Sequence, residues 1–120
     1  MLRERAARYF GEDYNCAQCI LKAAEEEYGV EVAGQFYPAL AAVSGGLGIG
    51  AACCALVAGI MLFGLVADES AAKSMRIRLL AEFSDLYSDI NCAALARGGD
   101  CGRIIGDIAD IIDGIMAGRA

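Results

Sequence analysis

Six cysteines and no histidine set the chemistry open to this chain of 120 residues. Three of the cysteines directly follow a residue suited to helix N-capping: Asn15 before Cys16, Asn91 before Cys92 and Asp100 before Cys101. An N-cap Asn or Asp accepts a hydrogen bond from a first-turn backbone N–H, which makes the next residue the first of the helix. A thiol placed there feels the positive end of the helix dipole, and its thiolate form is favoured. Asn15 and Gln18 also have the spacing of a capping box. Cys53 has no such cap, but it follows the glycine-rich stretch SGGLGIG at the start of an apolar run. Cys16, Cys53, Cys92 and Cys101 are therefore candidate metal ligands at four helix starts. Thiolates hold iron–sulfur clusters, whose stability and potential depend on hydrogen bonds to sulfur. Gly45, Gly46, Gly48 and Gly50 would let backbone N–H groups approach that sulfur with no Cβ in the way.

The same residues admit other chemistry. Cys16 and Cys19 form a CxxC, which in a thioredoxin-like βαβ setting would be a redox pair, but no such pattern surrounds it. Structural zinc sites favour two close cysteine pairs, whereas here 36, 38 and 8 residues separate the successive candidates. GGLGIG resembles part of a dinucleotide fingerprint, yet no strand precedes it and Ala51 stands where a further glycine is expected. Cys54, next to Cys53, is expected to face another way and serve packing, or to be a spare thiol. Absence of histidine removes His bases, Cys/His dyads and His ligands, so a self-contained hydrolase is not expected. Asp107, Asp110 and Asp113, like Glu25, Glu26 and Glu27, read as solvated faces of helices.

These thiols need a scaffold. Length and a hydrophobic fraction of 58% with one proline point to a single compact domain over residues 1–120. Apolar spacing of three and four predicts helices over residues 2–10, 16–28, 35–43, 53–66, 69–89 and 101–117. The run 53–66 is apolar on every side, which assigns it to the centre of the fold. The expected class is all-α, with five or six packed helices. Between Glu31 and Asp68 lie 36 uncharged residues, long enough to span a bilayer, but Pro38, the glycines and the acidic flanks favour a buried hairpin of helices over membrane insertion. A formal charge of −6 disfavours nucleic acid as a partner. The charged start MLRERAARYF lacks an apolar signal core, so a reducing, cytoplasmic setting is expected. The apolar excess makes a homodimer a candidate assembly.

YNCAQ, SGGLGIG, CCALVAGIMLFGL and the two late cysteines together resemble the redox-active proteins named for a C_GCAxxG_C_C signature, over nearly the whole chain. The resemblance implies small helical proteins with four characteristic cysteines, here Cys16, Cys53 in the CGAxxG-like position, Cys92 and Cys101. It extends to the iron–sulfur domain of split-Soret cytochromes c, without a haem-binding segment, and implies a redox centre, expected to be a cluster. Cys54 where that alignment has glycine, and the extra Cys19, are departures. The expected function is a small iron–sulfur protein that transfers electrons to a protein redox partner or handles clusters. The alternatives are a thiol–disulfide protein using Cys16 and Cys19 or other pairs, and a metal-binding interaction module.

Overall fold

A computed structural model describes residues 1–97 and 100–119. Among the described residues there are seven helices and no strand: α1 (Leu2–Phe10), α2 (Cys16–Tyr28), α3 (Phe36–Ala39), α4 (Cys54–Val66), α5 (Glu69–Leu86), α6 (Cys92–Arg97) and α7 (Cys101–Arg119). The five long ones make the packed body of an all-α fold. α4 lies against α2, α5 and α7, and α1 closes the bundle against α2 and α7. As expected of a central helix, α4 buries Leu56, Leu62 and Phe63, and it approaches its neighbours at Gly59. A Cβ there would come within 3.1 Å of both Ile112 and Leu79. Each enclosed Leu, Ile or Phe contributes roughly 1.5–3 kcal/mol, so burial is the main source of cohesion.

α2 forms where its sequence predicts. Asn15 Oδ1 accepts from Gln18 N at 2.9 Å and Gln18 Oε1 accepts from Asn15 N at 3.0 Å, a complete capping box. Gly29, in the left-handed conformation, stops the helix. The predicted helix over 35–43 is instead broken into α3 and a 3₁₀ turn, Ala41–Val43. The cause lies in α2: Asn15 Nδ2 donates to Leu40 O at 3.0 Å and Gln18 Nε2 donates to Tyr37 O at 2.7 Å. Each carbonyl is shared between that side chain and a 3₁₀-type amide bond, from Leu40 N at 3.1 Å to Tyr37 O and from Val43 N at 3.2 Å to Leu40 O, so the segment tightens instead of continuing as an α-helix. α5 ends at Leu86, because Tyr87 is extended and donates to Asp107 Oδ2 at 2.5 Å. Leu86 and Ile90, which continue the three-and-four apolar spacing beyond Phe83, are exposed.

The acidic runs are not simply solvated. Glu26 bonds to Arg5, Arg8 and Tyr9, and Glu27 to Arg5, which joins α1 to α2. Asp107 and Asp110 clasp Arg3, and Asp113 Oδ2 accepts from Leu2 N at 2.9 Å, which joins α1 to α7. No described helix is long and apolar enough to cross a membrane.

Candidate functional site

Three pieces of local structure converge on one small cavity. The first is the start of α2, where the capping box fixes Cys16 as the opening residue. The second is the glycine loop. Gly45, Gly46, Leu47, Gly48 and Gly50 all have positive φ, and Ala51 N donates to Gly46 O at 2.8 Å to close it. The loop delivers residues 51–53 alongside 90–92: Cys92 N donates to Ala51 O at 2.7 Å and Cys53 N donates to Ile90 O at 2.9 Å, around an antiparallel bridge between Ala52 and Asn91. Cys53 and Cys92 are fixed relative to each other by these bonds. The third is the start of α7, where Asp100 Oδ1 accepts from Arg103 N at 2.9 Å and caps the helix that Cys101 begins.

The cavity has a volume of about 40 Å³, room for roughly one water, and is lined by Cys16, Cys53, Cys54, Cys92 and Cys101 with Gly45, Leu95, Ala96, Ile104 and Ile105. All four cysteines singled out by their helix starts therefore face one space. Cys101 is exposed at its mouth and Cys92 is half-buried, while Cys53 and Cys54 are buried. Among the described residues, no group of three or more His, Cys, Asp or Glu stands in the arrangement of a single metal-ion site.

Cys54 is the fifth thiol, and it overturns the expectation that it faces elsewhere. Cys53 occupies the N-cap of α4 with φ −59° and ψ 124°, outside helical geometry. The two adjacent side chains are therefore not forced apart by the 100° turn between successive helical residues. Cys19, by contrast, is fully buried on α2, with its sulfur 3.8 Å from Tyr14 O, and does not line the cavity.

The ionisation pattern differs from a simple dipole effect. Cys16 is pushed above the ordinary thiol range, first by its hydrogen bond with Cys54 and then by burial. Cys54 is held below that range, first by the Cys16 bond; amides at the start of α2, those of Ala17 and Cys16, also lower it. The amides at the start of α2 thus act on the thiol that opens α4. Burial raises Cys53, against the first-turn amides of Leu56 and Ala55. Cys19 is raised to about 11, mainly by burial.

The glycines divide in role. Gly45 lines the cavity. Gly46 is a close-approach position: a Cβ would lie 2.3 Å from Ala51 O and 2.7 Å from Cys92 Cβ. Gly50 likewise meets Ala93, at 2.7 Å, whereas Gly48 has open space. Gly46 and Gly50 therefore seat the loop on α6. Asn91 also departs from expectation, since among the described residues its side chain makes no bond to the first turn of α6; its carbonyl accepts from Leu95 N at 3.0 Å, and its own N–H is held by Asp89.

The chain matches, over residues 14–115, the model of a protein family described as Putative redox-active protein (C_GCAxxG_C_C). No curated protein and no solved structure matches it.

Proposed function

Because the chain belongs to the family of redox-active proteins with the C_GCAxxG_C_C signature, we propose that the cysteine cavity is a thiolate site for an iron–sulfur cluster and that the protein carries electrons or handles clusters. The observation that supports this most is the convergence of five thiols, from the starts of α2, α4, α6 and α7, on one cavity whose other side chains are apolar. That donor set suits soft, sulfur-preferring iron centres and offers no carboxylate or imidazole to a harder ion. A bound cluster would supply a site for one-electron exchange.

The protein's own part is threefold. Cysteine sulfurs supply the ligands, apolar walls at Leu95, Ile104 and Ile105 keep water out, and the amides at the start of α2 stabilise negative charge on sulfur. The signature also refines the ligand set. In GCAxxG the cysteine precedes an alanine, which fits Cys54 followed by Ala55, with Ala58 at the second glycine. Cys53 then stands in the place of the first glycine. Exposure of Cys101 puts the mouth of the cavity at the surface, where a protein redox partner in a reducing cytoplasm would exchange electrons.

The test is anaerobic purification with iron and acid-labile sulfide analysis. Coloured protein with stoichiometric iron and sulfide is expected. Folded, colourless protein free of metal would overturn the reading. One observation favours a second reading: Cys16 and Cys54 line the same cavity, whereas Cys19 does not. In a dithiol protein those two, rather than Cys16 and Cys19, would form the disulfide, giving up two electrons and two protons to a disulfide substrate. Peptide mapping of the oxidised protein would reveal that link.

A further inference from the structure

We propose that Cys53 and Cys54 are interchangeable ligands, so that the cavity serves a four-thiolate centre with one buried thiol in reserve. The inference rests on the cluster reading above and extends it to two residues of this chain. Both side chains line the same cavity, yet they are only 8% and 4% exposed, which leaves neither able to reach solvent or a partner. A thiol confined there has the centre itself as its nearest chemistry.

The two belong to opposite flanks. Cys54 opens α4, which packs directly against α2, the helix that Cys16 opens. Cys53 is tied through the Ile90 bond and the Ala52–Asn91 bridge to the residues that lead into α6, which Cys92 opens. Either can therefore complete a set with Cys16, Cys92 and Cys101 without crossing the cavity. The sequence supports the distinction: the family signature has four cysteines, and Cys53 takes the place of its glycine, so the fifth thiol is an addition in this chain. Exchange conserves charge and needs no oxidant. The arriving thiol gives up its proton as its sulfur bonds iron, and the departing sulfur takes one up. The pair thus allows one flank to let go while the centre keeps four sulfur ligands.

The experiment compares wild type, C53A, C54A, the double C53A/C54A and C92A, each loaded anaerobically with ferrous iron and sulfide. Iron and sulfide per chain and the visible spectrum are measured. Far-ultraviolet circular dichroism of the metal-free forms identifies folded variants, and serine replaces alanine wherever the alanine form does not fold. Each single change at 53 or 54 should retain most of the wild-type iron with a shifted spectrum, while the double change and C92A should lose it. A single variant as empty as the double, with the other unchanged, would establish one fixed ligand and overturn the proposal. A double variant that loads like wild type would overturn it too. If wild type itself takes up no iron or sulfide, the cluster reading fails first and the proposal with it.

Discussion

Cys19 marks the boundary between a thiol that packs and a thiol that reacts. Its side chain is fully buried and its ionisation is suppressed, pushed up to about 11, so it has neither access nor charge to offer. Cys19→Ala should therefore leave iron and sulfide content unchanged while costing about 1 kcal/mol of stability for the lost buried volume. Thermal unfolding beside metal analysis checks both halves, and loss of iron on this change would place Cys19 in the centre after all. Cys16, Cys92 and Cys101 could be picked from the sequence because each follows a capping residue, a local signal. Cys54 carries no such local signal, since what directs it to the cavity is the non-helical backbone of Cys53 together with the packing of α4 against α2, a helix that starts 38 positions earlier in sequence. The lowering of its ionisation by the α2 amides is likewise a relation between elements that no local pattern encodes.

Elements whose ends are stabilised by their own residues were readable, and those shaped by other elements were not. α2 carries its capping box within four residues, Asn15 to Gln18, whereas α3 is cut short by those same two side chains reaching across to Tyr37 and Leu40. Asn15→Ala should cost about 1–2 kcal/mol, since it removes both a cap and a tertiary bond. Asn91→Ala should cost far less, because no side-chain cap is lost; equal losses in chemical denaturation would refute this difference. A similar contrast is expected in the glycine loop. Gly46→Ala meets backbone at Ala51 and should dislodge Cys92, lowering metal content, while Gly48→Ala has space and should cost only the left-handed strain of about 1–2 kcal/mol. The α1–α2 clamp has its own signature in pH. Glu26 is held down to about 2, from 4.5, chiefly by Tyr9 and then by Arg8 and Arg5. A depressed carboxylate stabilises the fold above its unfolded pKa and loses that contribution as pH falls, here from about 4.5 towards 2. Glu26→Gln should flatten stability across that window in acid titrations, and an unchanged slope would remove the clamp from the account.

At the scale of the molecule, the body and the site rest on different supports. α1, α2, α4, α5 and α7 enclose Leu2, Ile20, Leu62, Phe63, Leu79, Phe83, Ile108 and Ile112 without help from the cavity. The glycine loop and α6 bury little beyond Gly46 and Leu95, and hold to each other by the bonds of Ala51, Cys53 and Cys92. Regions with few buried apolar contacts open first, at free energies below that of global unfolding. A group bound by cysteines of both parts stabilises only the states in which the cavity is intact. Chelation under anaerobic conditions should accordingly leave the helical spectrum nearly unchanged, and amide hydrogen exchange should quicken at residues 45–53 and 90–97. Amides of the α4 and α7 interiors should stay protected. Collapse of protection throughout the chain would mean that the centre holds the whole fold, as in small metal-dependent domains. No change at 45–53 would mean that the bound group does not lean on the glycine loop, and the assignment of Cys53 and Cys92 to the site would have to be withdrawn.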